Sequence, residues 1–146
     1  MKRFLFLLII GILLSCSKTI EDPLPYAPVY FNIDLRTWDS DLIGATNYKI
    51  FTQARLDKET TGYSGIFVVC GFDGQQHYAY DLCCPHEAQR SIKVEPTDAG
   101  TAICPQCKTI YETGNGFGNP LEGVSQYRLR KLNISYKNEK EFVVFY

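Results

Sequence analysis

Two short segments carry side chains able to hold a metal: Cys84-Pro85-His86 and, after an interval of 17 residues, Cys104-Pro105-Gln106-Cys107. Three thiols and an imidazole are soft and borderline donors of the kind that bind zinc or iron. A proline inside each segment stiffens its loop, so two ligands are held close together at little further entropic cost. A lone Cys-x-x-Cys is a weak signal, whereas two Cys/His pairs that each terminate a strand are a stronger one. Tetrahedral zinc on three Cys and one His satisfies the pattern, and disulfides compete with it wherever the compartment is oxidising.

The elements that must position these loops read as strands. Val29, Phe31, Ile33 and Leu35 alternate with Tyr30, Asn32 and Asp34, the period of a half-buried strand. From Arg36 to Gly62 the pattern is poor, with turn chemistry at Asp39-Ser40-Asp41 and Gly44 and a short strand expected over Tyr48-Lys49-Ile50-Phe51. The apolar run Ile66–Cys70, the turn Gly71-Phe72-Asp73-Gly74 and the alternation Tyr78, Tyr80, Leu82 predict a β-hairpin that ends at the first Cys/His pair. Ile92 and Val94 predict another strand, and Thr101-Ala102-Ile103 runs into the second pair. Tyr127 to Tyr136 and Phe142 to Phe145 predict a terminal hairpin, with a bulge where the phase slips at Arg130-Lys131. Gly114-Asn115-Gly116-Phe117-Gly118 is a turn, since neither the Lys-Ser/Thr nor the helix of a phosphate loop follows it.

Composition agrees. The chain has 146 residues, 45% hydrophobic and 21% charged, with ten Tyr and frequent Gly and Pro, which excludes a disordered chain and favours one all-β domain. A net charge of −1 leaves no basic footprint for nucleic acid. No Ser/His/Asp set, paired catalytic carboxylates or small-molecule substrate site can be identified.

The N-terminus reads as an address. Lys2 and Arg3 precede an apolar run from Phe4 to Leu14, far shorter than the roughly 20 residues of a spanning helix, which marks residues 1–15 as a secretory signal. Leu13-Leu14-Ser15-Cys16 resembles the lipobox of bacterial lipoproteins, which implies lipidation of Cys16 and a lipid-anchored place in the cell envelope. The mature chain then carries 13 basic and 16 acidic residues, a net charge of −3, and an odd count of five further cysteines. Residues 16–28, with Pro23, Pro25 and Pro28, read as a tether, and the folded domain is expected over 29–146.

Over roughly residues 66 to 146 the chain resembles the Rieske family, an all-β fold of stacked antiparallel sheets holding a two-iron two-sulfur cluster on a Cys-x-His loop and a Cys-x-x-His loop. Cys84-Pro85-His86 matches the first pair, and Cys104-Pro105 opens the second. Thr109 and Tyr111 fall where the family often has hydroxyls that donate to cluster and ligand sulfurs, and Gly118-Asn119-Pro120-Leu121 resembles its third, proline-containing loop. The chain departs at Cys107, where the family has its second His, and at Lys108, where it has Gly. Carried over by position, Cys84 and Cys104 hold an inner iron while His86 and Cys107 hold an outer one. A site with three thiolates is more negative than the family's by one charge. Its potential is therefore expected between the Rieske range of about −150 to +300 mV and the roughly −400 mV of plant-type ferredoxins.

The resemblance implies an electron carrier or redox subunit with a redox protein partner rather than a stand-alone enzyme. Export pulls the other way, because a signal without a twin-Arg segment implies crossing the membrane unfolded, whereas such clusters are normally assembled in the cytoplasm. Zinc, or disulfides in a non-redox protein-binding module of the same fold, are the alternatives. Among the remaining candidates, His77 reads as a partly exposed strand-end histidine, Cys70 as a buried thiol, and Cys83 as lacking the Cys-x-His spacing. Trp38 and the tyrosines read as core and sheet surface, and Asn133-Ile134-Ser135 as an idle glycosylation match in a bacterial protein.

Overall fold

The computed structural model describes residues 21–146; the signal segment and the lipidation of Cys16 expected from the sequence lie outside the described residues. The fold is all-β and its sheets are antiparallel, as expected. The strands are β1 (Val29–Asp34), β2 (Tyr48–Phe51), β3 (Thr60–Thr61), β4 (Ile66–Cys70), β5 (His77–Asp81), β6 (Glu95–Thr97), β7 (Thr101–Ile103), β8 (Ile110–Glu112), β9 (Pro120–Glu122), β10 (Lys131–Asn138) and β11 (Glu141–Phe145). Seven form one sheet in the order β2-β4-β5-β10-β11-β1-β3, and four form a second in the order β6-β7-β8-β9.

The larger sheet curls around its own core. Phe31 of β1 and Phe51 of β2 belong to strands near opposite ends of the sheet order, yet their rings are 4.6 Å apart. Inward residues of six strands meet in that core, among them Val29, Ile33, Ile66, Val68, Ala79, Leu132, Phe142 and Val144. The other face of β4 and β5 supplies Phe67, Val69 and Tyr80 to a second core closed by the smaller sheet through Ala102 and Tyr111. Burial on both faces explains why Ile66–Cys70 is continuously apolar instead of alternating. Cys84 and Cys104 are members of the second core, so the loops grow out of packed structure.

Several sequence expectations shift. Ile92 and Val94 do not lie in a strand ladder: only an isolated bridge joins Cys83 to Lys93, and the ladder begins at Glu95. The bulge lies between Tyr136 and Asn138 rather than at Arg130-Lys131. The phase slips there because Arg130, although charged, is buried: it donates to Asp22 and to the carbonyls of Leu24 and Pro25. The same contacts, with Leu24 only 6% exposed, pin the described end of the proline-rich segment to the domain, where a free tether was expected. Trp38 is exposed and lies over the Arg55 guanidinium, outside the core.

His77 is the first residue of β5 and is buried, not partly exposed. Its Nε2 lies 3.2 Å from the Leu42 carbonyl, the Tyr136 hydroxyl is 3.4 Å from Nδ1, and Phe142 packs on the ring. Burial depresses its pKa from the ordinary 6.5, against the opposing pull of the Leu42 carbonyl and Asp73. Below that value the unfolded chain takes up a proton that the folded chain refuses, so stability is complete above it and declines as pH falls toward the lower folded pKa. The urea midpoint is expected to stay level from about pH 8 to 7 and to drop below about pH 6.5, with His77→Gln flattening the decline. An unchanged profile in that variant would assign the decline to another group.

Candidate metal centre

Both loops are built alike. The Ala88 amide donates to the Cys84 carbonyl at 2.9 Å, and the Lys108 amide to the Cys104 carbonyl at 3.0 Å. In each case the residue four beyond the cysteine turns into the left-handed region, Ala88 at φ 51° and Lys108 at φ 60°. Glycine takes that conformation without strain, whereas the Cβ of a lysine meets its own backbone there. Lys108→Gly is expected to stabilise the chain by about 1 kcal/mol, read as a higher urea midpoint. A lower midpoint would mean that the lysine side chain compensates for its backbone.

The loops are anchored from below. Asp81 is 1% exposed and accepts the amides of Tyr63, Ser64 and Cys83, fixing the turn that presents Cys84. Burial raises its pKa, while those amides pull the other way. The second loop leaves β7 at Cys104, whose amide donates to the Thr109 carbonyl at 3.0 Å.

Three of the four expected ligands come together. The Sγ atoms of Cys84, Cys104 and Cys107 all lie within 4.8 Å of one another, and Cys84 and Cys107 are 3.7 Å apart. Cys84 and Cys104 are fully buried, and Cys107 is half-buried. His86 is exposed on the first loop and is not in that group. Cys83 faces away, with its sulfur 3.3 Å from the Gln89 carbonyl, and Cys70 is buried in β4.

Two hydroxyls address the sulfurs. Tyr111 Oη lies 3.5 Å from Cys84 Sγ, and burial pushes its pKa up, so it keeps a proton to donate. Thr109 Oγ1 is 3.2 Å from Cys107 Sγ and accepts the Ser125 amide at 3.2 Å, which leaves its own proton free for a thiolate. Burial alone would raise the Cys107 pKa, but hydrogen bonds from the Thr109 hydroxyl and amide and from the other two thiols outweigh it and hold it below the ordinary range. Burial drives Cys104 up to about 12, so an entering metal must displace its proton. Gly123, which no sequence signal marked, fits against this group: a Cβ there would lie 2.6 Å from Thr109 Cα, and its φ is +107°.

The donor set fits a metal. Three convergent thiols, two of them shielded from water and two receiving hydroxyls, make a site that soft and borderline ions fill. No protein-family model matches this sequence, and no curated protein is detectably similar to it.

Proposed function

We propose that this chain is an envelope lipoprotein whose Rieske-like domain binds a two-iron two-sulfur cluster and exchanges single electrons with a protein partner. The gradient of exposure across the donors carries the reading: Cys84 and Cys104 are buried, Cys107 is half-buried and His86 is exposed. An inner thiol pair closed to water and a half-buried outer thiol, with an exposed imidazole on the first loop, support the division of ligands that the family resemblance implies. When bound, the cluster supplies a one-electron couple. The chain holds it on two stiff loops, excludes water from its inner side and presents Cys107 and His86 to a partner. The Thr109 and Tyr111 hydroxyls support the reading, since donors to sulfur stabilise the more negative reduced state. The apolar run and Cys16 support export and anchoring by lipid.

A second reading rests on the 3.7 Å between Cys84 and Cys107. Sulfurs bound tetrahedrally at about 2.3 Å from one zinc are held about 3.8 Å apart, whereas ligands of two different irons stand farther from each other. In that reading a single zinc on three thiols ties the loops together in a non-redox module that binds another envelope protein.

The test is iron, zinc and acid-labile sulfide analysis, with an absorption spectrum, on the full chain purified anaerobically in detergent. About two irons and two sulfides per chain, with visible bands bleached by dithionite, are expected. Colourless protein with one zinc selects the second reading. No metal, even after anaerobic reconstitution, overturns both.

A further inference from the structure

We infer that the three thiols have a second, covalent state: in the metal-free chain an external disulfide oxidises Cys84 and Cys107 to a disulfide that staples the two loops, and a bound metal blocks the reaction. The inference rests on reading the cluster as a metal site. Its geometric basis is that Cys84 Sγ and Cys107 Sγ touch at 3.7 Å across two different loops, with Cys104 completing the group. Access sets the order of events. Cys107 is the member of the group that solvent reaches, while Cys84 and Cys104 are fully buried. Cys83 does not compete, because its sulfur is turned to the carbonyls of Cys84 and Gln89.

The chemistry balances with a small-molecule disulfide as oxidant. Cys107, as thiolate, attacks one sulfur of the reagent, and the reagent's S–S bond breaks to release one small thiol. Cys84 then gives up its proton and attacks Cys107 Sγ in the mixed disulfide, releasing the second small thiol. Two electrons pass from the protein to the reagent, and one protein S–S bond replaces the reagent's. Cys104 stays a thiol. In the oxidising envelope proposed above, this state would hold the loops together before a metal arrives, and loading would require its reduction.

The test treats the full chain, stripped of metal in detergent, with cystamine, then blocks remaining thiols by alkylation and maps the peptides by mass. The expected product joins the peptides of Cys84 and Cys107, has two fewer alkylatable thiols and retains no cystamine adduct. Cys84→Ser is expected to trap the adduct on Cys107, Cys107→Ser to abolish the reaction within the cluster, and Cys104→Ser to leave it intact. A lasting adduct on Cys107 in the unsubstituted chain, or a Cys104–Cys107 bond in its place, would overturn the inference. Prior loading with zinc is expected to slow the reaction at least ten-fold. The Cys84–Cys107 bond forming at an unchanged rate with zinc present would uphold the thiol pair and overturn the metal-site reading.

Discussion

Cys104→Ser is expected to cut the metal content of the purified chain at least ten-fold. Cys104 is a fully buried thiol in the second core, so it supplies its sulfur from the inner side of the site. A serine oxygen is a hard, poorly ionised donor, so the exchange removes a ligand and leaves a buried hydroxyl pointing at two thiols. An iron–sulfur cluster and a zinc ion both need this sulfur. Gln106→Ala, two positions along the same loop and exposed, is the matched control and is expected to keep full occupancy. His86→Ala separates the readings: it removes an outer ligand of a cluster, with loss of the visible bands, whereas zinc on three thiols retains its ion with water in the fourth position. Full metal content in Cys104→Ser, measured beside the control, would rule out the cluster as the metal site.

The site was legible to the extent that its ligands are local. Two Cys/His pairs, each next to a strand end, announce themselves by spacing, and the hydroxyls of Thr109 and Tyr111 lie within seven positions of Cys104. The contact of Cys84 with Cys107 depends on how two loops 23 residues apart are packed, which no spacing encodes. Asp81, Gly123 and Ser125 were missed as supports because a buried acceptor, a close backbone approach and an amide to a hydroxyl leave no periodic trace. The same contrast runs through the fold. β1, β2, β4, β5, β7 and β11 were readable from alternation or from a continuous apolar run. β3, β8 and β9, of two or three residues each, are too short to establish a period, and they exist because a neighbouring strand supplies their partners. Arg130 misled because its burial is repaid by partners more than a hundred positions away.

Asp39→Ala is expected to be the most destabilising change to a polar side chain. The stretch around it looked like turn chemistry, yet Asp39 is fully buried. Its carboxylate accepts from Arg55 at 2.8 and 3.1 Å and from the Asp34 amide at 3.0 Å, and Lys49 stands 3.2 Å away. Arg55 in turn donates to the Asn32 carbonyl and lies over the rings of Phe31, Phe51 and Trp38. Removing the carboxylate strands a guanidinium against those rings and an amide at the end of β1. Breaking a buried pair costs about 3–5 kcal/mol, and because Arg55 is 25% exposed and water can reach it, the lower end applies. A loss of about 3 kcal/mol should lower the melting temperature by on the order of 10 °C. Asp39→Asn keeps one oxygen for the Asp34 amide but gives up the charge and turns an NH2 toward the donors of Arg55 and Lys49, so it is expected to lose only somewhat less than the alanine variant. Equal losses in the two variants would mean that the charge matters and the backbone contact does not. A loss below about 1 kcal/mol in the alanine variant would place the carboxylate among exposed ion pairs, where such pairs contribute little.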